Sequence, residues 1–559
     1  MPTSIPSFLS RLTLLAVLGF PALTAQAQVA APTWASVTRA ISAGPPSGSQ
    51  GSQASKVAVA ADGSHIVSGF FDGTLTLNAT TSFTAGTNDA GFFVARYNAD
   101  GTLAWARHAL TSSHDESNVL TTVDAAGNVY LAGYFGQYLT LGTTSLSTAA
   151  GQTDSFVAKY DPQGNLLWAR RGEASASAYC TGVAADAAGN VYLTGDYSGT
   201  LAFGSTTTLN STNSASDIFL CKISPAGTAV WLRSAGSASL DYGGGLAADA
   251  AGNTYLTGSV SLAATFGTQT LPTVGGEEDL FVAKYDTQGN ALWARRSGGS
   301  DSERGAAVAV DAAGRVAVTG YADYRDVNGS EVSAIYVAAY APDGTRRWER
   351  KVQPAPLDAY SGYDVAYDNR GGLYLTGPFQ GSVTFGSTVL TSPGAALYVV
   401  RYDQAGNVVW AGAAGGSSAI SGAAVSTSLA TDAQGNAYVA GGAFGSVRFG
   451  SLTSQDPGIS FFVAKLNAGG LITGSRPAQA PLALAVYPNP ATEQTMLLLP
   501  AGGGHLVLTD ALGRTVREQA LPTAAGPCPV ALRGLAPGLY ALRATLAGGT
   551  VATARLTVR

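Results

Sequence analysis

Side chains able to do acid–base, nucleophilic or metal chemistry are sparse in this chain of 559 residues. There are four histidines (His65, His108, His114, His505) and three cysteines (Cys180, Cys221, Cys528). Only His114-Asp115-Glu116 puts a histidine beside carboxylates, and contiguous residues cannot converge on one ion unaided. No Gly-x-Ser-x-Gly elbow or His-Glu-x-x-His pattern occurs. The runs Gly243-Gly-Gly245 and Gly298-Gly299 lack the lysine and following helix of a phosphate cradle. The sequence therefore predicts no catalytic set, no metal ligands and no cofactor. What remains is a series of acids, Asp115, Glu116, Glu173, Asp241, Asp301, Glu303 and Asp358, joined by Tyr360. Glu116, Asp241, Glu303 and Tyr360 each stand eight residues before an aspartate that opens a turn (Asp124, Asp249, Asp311, Asp368). Brought to one face, they would form an acidic, partly aromatic rim for a cation, a basic partner or a glycan. The plainer reading is a set of exposed charges that keep the chain soluble.

The elements that must position these residues are repeats. All seven tryptophans, Trp34, Trp105, Trp168, Trp231, Trp293, Trp348 and Trp410, fall at steps of 71, 63, 63, 62, 55 and 62 residues. A near-constant step over most of a chain is the mark of stacked or radially arranged units. Within one unit, Gly182–Asp186, Asn190–Gly195, Asp217–Ile223 and Ala229–Arg233 are short β-rich runs separated by turns. Asp-x-x-Gly-Asn recurs at 124–128, 186–190, 249–253 and 432–436, and again at 161–165, 286–290 and 403–407. It suits a three-residue hairpin loop, with an aspartate-started turn followed by glycine in the left-handed region. One aspartate per turn is too few for a calcium loop. Each unit is thus expected to be a four-stranded antiparallel meander.

Counting outward from the Asp161–Asn165 pair sets Ala158 opposite Trp168. The same count sets Ala95, Cys221, Ala283, Ala338 and Val400 opposite the other indoles, large against small. Runs such as Phe156-Val-Ala158 do not alternate, so both faces of the sheets should be buried. The seventh unit has Gly474 where its tryptophan is due, while Trp34 precedes the first unit without partner strands. The expected fold class is all-β: a seven-bladed β-propeller whose last blade takes its outer strand from around Trp34, opposite Ala464, followed by a small C-terminal β-sandwich. Unit five is short and lacks the Phe-Gly pair seen at Phe203-Gly204, so it should lack an edge embellishment.

The core pattern Asp186 to Gly195 resembles the bacterial β-propeller repeats known as SBBP, over roughly residues 34 to 472. Unit one departs at Asp62-Gly63-Ser64 and unit five at Arg315. The resemblance implies a fold and says little of activity.

The two ends imply a destination. Arg11, the apolar stretch Leu12 to Leu23 and Ala25-Gln26-Ala27 read as an export signal over residues 1–27, too short for a membrane span. The propeller should cover 28–472 and a linker 473–481. Residues 482–559 contain Tyr487-Pro488-Asn489-Pro490, Gly513-Arg514, Gly538-Leu539-Tyr540 and Arg555 before Leu556-Thr-Val558. This combination resembles the type A C-terminal sorting domain of type IX secretion in Bacteroidota. It implies as partners the secretion machinery and its sortase, and places the protein secreted or on the outer-membrane surface. Cys528, between Pro527 and Pro529, is expected in a loop. The net charge of −5 and the lack of a basic run give nucleic acid no electrostatic footprint, and no further segment reads as transmembrane. Two functions stay open: a non-catalytic surface protein binding a glycan or protein, or a secreted hydrolase or lyase acting at the propeller's central mouth.

Overall fold

The structure, a computed structural model, describes residues 32–43, 51–86, 89–112, 119–204, 208–212, 215–273, 278–298, 302–325, 331–353, 361–416, 422–468, 482–483, 486–499, 503–510, 514–546 and 551–559. The signal segment 1–27 and the linker 473–481 lie outside these residues. Among the described residues the chain is all-β, and no helix is long and apolar enough to cross a membrane. One compact unit spans Ala31–Gly469, and a second takes the C-terminal residues from Gly470.

Four-strand meanders follow one another through the larger unit. In the fourth, Asp241–Ala248, Thr254–Val260, Asp279–Tyr285 and Ala291–Ser297 pair in chain order, antiparallel throughout. Its second strand is buried at every residue, Thr254, Thr257 and Ser259 included, as a sheet covered on both faces requires. The first strands of the units are Ser52–Val59, Val119–Val123, Ser177–Ala185, Asp241–Ala248, Ser302–Val310, Asp364–Tyr367 and Gly422–Thr431. Each lies beside the next, and the last lies beside the first. Apolar cores fill the space between successive sheets. One holds Tyr192, Leu220 and Trp231 of the third unit against Leu246, Leu256 and Phe281 of the fourth. Another holds Tyr438 and Phe461 of the seventh against Val67 and Phe93 of the first, with Phe93 and Phe461 stacked at 4.7 Å.

The seventh sheet draws on both ends of the repeat region. Thr33–Arg39 pairs antiparallel with Leu452–Asn467, beyond Ala437–Phe449. Arg39 fastens the seam, its Nε donating to Ser460 Oγ at 2.8 Å and its guanidinium to the carbonyls of Gly445 and Ala443. Short hairpins such as Thr200–Phe203 with Thr208–Asn210 reach back to the outer strand of the preceding unit. Among the described residues the fifth unit has no such hairpin, its strand Val316–Arg325 pairing along its length with Glu331–Tyr340.

The cross-strand register corrects the sequence expectation. The turn is as read: Asp161 N donates to Asn165 O at 2.9 Å and Tyr160 faces Leu166. The ladder then slips by one residue, so Trp168 faces Lys159 and Ala158 faces Ala169. Arg96, Lys222, Lys284, Ala339 and Arg401 likewise face Trp105, Trp231, Trp293, Trp348 and Trp410, not Ala95, Cys221, Ala283, Ala338 and Val400. Trp34 faces Leu466 and not Ala464, which lies opposite Val37, and Ala35 is the extra residue there. A bulge holds two residues against one, and Leu167, the surplus residue in the second unit, points outward at 53% exposure.

Five of the indoles reach the next unit. Trp105, Trp168, Trp231, Trp293 and Trp348 donate from Nε1 to a turn carbonyl of the following unit, those of Pro162, Pro225, Thr287, Pro342 and Gln404, at 2.9–3.1 Å. The turn glycine lies flat on the ring. Gly227 has φ +82°, and a Cβ there would meet Trp168 Cδ2 at 2.9 Å, so both backbone and space call for glycine. A parallel lacing runs through the other turns. Asp124 Oδ1 accepts from the backbone of Ala126 and Asn128, while Oδ2 accepts from Asn128 Nδ2. Tyr130 Oη lies 3.1 Å from that Oδ2 and 2.7 Å from Gly189 O of the next unit, two acceptors for its one proton. These carboxylates are consumed by turn geometry, and no cluster of three or more metal-ligating side chains occurs among the described residues.

The C-terminal unit has two sheets. Leu482–Ala483, Val551–Val558, Gly538–Leu546, Gly504–Thr509 and Thr515–Leu521 form one; Val486–Tyr487, Gln494–Leu499 and Gly526–Ala531 form the other. Leu497 and Val530 of the smaller sheet share a core with Leu506, Leu542 and Leu556 of the larger. Cys528 is buried in the strand Gly526–Ala531 and not in a loop. That strand has one partner, and an edge tolerates the flanking prolines.

Trp231 is only 7% exposed, so Trp231→Ala should cost about 3–5 kcal/mol in chemical denaturation. Trp231→Phe, which loses chiefly the Thr287 bond, should cost nearer 1 kcal/mol from that bond.

Candidate functional site

The first strands converge on a cavity of about 180 Å³ to which all seven contribute, through Lys56, Leu120, Gly182, Gly245, Ala307, Asp364 and Thr427 among others. Their closeness follows from small residues: a Cβ on Gly245 would sit 2.6 Å from Ala307 Cα. Lys56 and Asp364, from the first and sixth units, supply the charge in this lining. Lys56 Nζ is 2.6 Å from Asp364 Oδ2, which also accepts from Ser428 Oγ at 2.9 Å and Leu429 N at 2.8 Å. Ser428 Oγ in turn accepts from Val57 N at 3.1 Å. This chain of bonds ties the sixth, seventh and first units together at the centre. It is a neutralised ion pair. It is not a pair of carboxylates set apart across a scissile bond.

Of the predicted acidic rim, Glu173, Asp241 and Glu303 fall among the described residues. Glu116, Asp301, Asp358 and Tyr360 lie outside the described residues, as do His114 and Asp115. Glu173 is exposed in the strand Leu166–Ala174, 3.3 Å from Arg171. Asp241 and Glu303 open the first strands of their units and are 0% and 1% exposed, so neither belongs to a solvent-facing loop. Equal distance from a turn aspartate gave their common position in the repeat but not their facing. Glu303 is paired with Lys351 at 2.9 Å. Asp241 accepts from Ser237 N, from Ser237 Oγ at 3.1 Å and from Ser261 N at 3.2 Å.

Asp241 is one of a buried carboxylate group that sequence reasoning missed. Asp217 Oδ1 and Asp241 Oδ2 lie 2.8 and 2.9 Å from the point where a Cβ on Gly236 would stand. Asp196 lies against the same stretch through Ser216 Oγ at 3.3 Å, whose residue carbonyl accepts from Asp241 N. Burial raises all three acids, Asp241 to about 6 and Asp196 to about 7, with the Asp217 charge adding to the rise at Asp241. Asp217 and Asp241 open strands while Asp196 stands near the end of one, so no common sequence position marked the three. His65 is also buried, stacked on Tyr97 at 5.3 Å, and burial followed by the Lys465 charge lowers it to about 4. His108 is exposed in the strand Leu103–Thr111, with Phe83 at 4.5 Å.

In the tail, the predicted signal residues from the two ends meet. Asn489 Nδ2 donates to Arg555 O at 2.7 Å, and Asn489 Oδ1 accepts from Thr557 N at 2.9 Å. The peptide bonds before Pro488 and Pro490 are cis, and Pro488 O accepts from Thr495 Oγ1. Arg514 donates to Asp510 at 2.8 Å with its side chain 74% exposed. Gly538 starts a strand, Leu539 is exposed, and Tyr540 Oη donates to Ala536 O at 2.7 Å. Tyr487 is half exposed, and Gly513 lies outside the described residues.

Residues 485–559 match the secretion system C-terminal sorting domain family. A tail of this family implies handling by the type IX secretion machinery, and secretion or cell-surface attachment. The chain is 22% identical over 409 residues to an uncharacterized WD repeat-containing protein of Acanthamoeba polyphaga mimivirus, covering 57% of this chain and 29% of that protein. It thus spans under a third of the length of that curated relative. Among solved structures it is similar to PorZ, a surface component of the type-IX secretion system of Porphyromonas gingivalis. The identity is 11%, with 91% of this chain and 82% of that one covered and a TM-score of 0.24. It is similar also to the extracellular domain of a hybrid two component system from B. thetaiotaomicron, at 10% identity, 90% and 86% coverage and a TM-score of 0.15.

Two outcomes test the buried charges. Lys56→Met should destabilise the repeat unit by on the order of 3 kcal/mol by stranding Asp364. Lys56→Met with Asp364→Asn should recover most of that loss in urea denaturation. An acid whose folded pKa is raised is stabilising below its unfolded value and loses that advantage as pH climbs through the folded value. Thermal midpoints should therefore fall between pH 4 and 7 from this source, since Asp196 moves from 3.8 to about 7. Asp196→Asn should flatten that fall measurably.

Proposed function

We propose that this chain is an exported seven-bladed β-propeller of SBBP-like repeats, closed by its N-terminal strand and followed by a β-sandwich sorting tail. The propeller acts without catalysis, as a binding or structural module of the cell envelope. The type IX machinery and its sortase act on the tail. The observation that carries this reading is the match of residues 485–559 to a sorting domain, on a tail whose Asn489 is bonded to the final strand. The blade count rests on the seven first strands that neighbour one another in a closed succession. WD repeats, the kind named in the viral relative, are themselves propeller-forming units. The non-catalytic reading rests on the axial lining, whose charged groups Lys56 and Asp364 neutralise each other. The hydrolase or lyase alternative has no comparable observation in its favour.

Removing residues 482–559 should leave the protein in the periplasm, while the whole chain reaches the surface or the medium. Fractionation followed by immunoblotting decides it. Asn489→Ala should reduce delivery in the same assay, and unchanged surface levels in both variants would refute the assignment of the tail.

A further inference from the structure

Three junctions between successive units carry a second kind of cavity, away from the axis. Between the first and second units it measures about 650 Å³, and between the fifth and sixth about 570 Å³. A smaller one of about 200 Å³ lies between the second and third. Equivalent residues line all three: an arginine two places after the tryptophan (Arg107, Arg170, Arg350), an apolar residue before a hairpin glycine (Leu141, Phe203, Phe385), and the residues after the turn glycine. His108, Arg171 and Lys351 follow the three arginines and also line the walls.

Each arginine is built in. Arg107, Arg170 and Arg350 sit over the indole of their own unit at 5.6–5.7 Å. Their hydrogen bonds run to backbone carbonyls: Arg107 to Ala106, Arg170 to Gly227 and Ala169, Arg350 to Glu349 and Ala405. Among the described residues the acceptors of these three guanidinium groups are carbonyls and not carboxylates, although Asp161 feels the charge of Arg107. A guanidinium has five N–H donors, so most of each fork is left for a guest. Lys351 and Arg171, by contrast, are committed to Glu303 and to Asp154 and Glu173.

We propose that these inter-unit cavities are repeated subsites for an acidic polysaccharide, one anionic sugar per cavity. A pinned guanidinium forks onto a carboxylate or sulfate. The partly exposed apolar walls, Phe83 and Leu166 in the first cavity and Val352 and Val408 in the other large one, suit the C–H face of a sugar ring. The volumes of the two larger cavities fall in the range of small-ligand sites. Equivalent linings at more than one junction, two of them successive, favour a polymer, since linked weak sites gain by effective concentration. The inference rests on the reading of the chain as an exported binding module, and is independent of the axial cavity.

The test is calorimetric titration of the full chain with oligogalacturonate, dextran sulfate, neutral dextran and poly-glutamate. Binding to one or both acidic glycans, weakened by raising salt, is expected, with the two arms telling carboxylate from sulfate. Arg107→Gln with Arg350→Gln should weaken it at least about tenfold, the worth of a lost charge-assisted contact. Arg533→Gln, with a side chain 80% exposed in the tail, should leave it unchanged. Thr143→Trp, at an exposed position lining the first cavity, should weaken binding by occlusion without disturbing an arginine, and decides the matter if the arginine variants fail to fold. No binding to either acidic glycan, equal binding to neutral dextran or poly-glutamate, or full binding by the Thr143→Trp chain would overturn the proposal. Surface delivery is read separately by fractionation, so intact delivery without glycan binding defeats this inference alone.

Discussion

The contact on which the repeat region depends is an indole lying on a glycine turn of the following unit. Trp168 over Gly227 does three things at once: it covers apolar surface, spends the indole N–H on Pro225 O, and fixes the approach of one sheet to the next. Arg170 adds a bond from Nε to Gly227 O at 2.7 Å. No unit supplies both halves of this joint. Each sheet is therefore only as well anchored as its neighbour, and the cores that stabilise the molecule lie between sheets. That is why the strands carry apolar residues on both faces.

The same economy governs charge. With few ionisable groups, the chain spends most of its buried ones on structure. Asp124 and its equivalents shape turns, Glu303 neutralises Lys351, and Asp364 links three units at the axis. The Asp196, Asp217 and Asp241 group departs from this habit, since burial without a nearby cation favours the protonated form. By comparison, the stacked arginines keep their charge available because their hydrogen bonds go to carbonyls rather than carboxylates.

Much of the fold was legible because its causes are local and recur. Tryptophan spacing gave the unit length, and Asp-x-x-Gly-Asn gave hairpins whose backbone bonds are as read. The surplus tryptophan at position 34 gave the shared last sheet. The bulge at Leu167 was not legible, since an extra residue can be seen only once the partner strand is in place. This bulge and its equivalents set a basic residue opposite five of the indoles, while Trp348 kept an alanine opposite it. The site was less legible than the fold. Repeat position put Asp241 and Glu303 on one rim, but burial is decided by which sheet covers them. Cys528 was misplaced because prolines that forbid a central strand are tolerated at an edge.

Thr33–Arg39 meets its partner across the whole repeat region, with Arg39 and Ser460 separated by 421 positions. During synthesis this first segment has to wait, unpaired, until nearly every later unit has emerged. A chain interrupted anywhere along the way keeps two raw sheet borders, each able to recruit a strand from another molecule. Completion is thus all-or-nothing at one seam, which gives a quality-control apparatus a single place to distinguish finished molecules from partial ones.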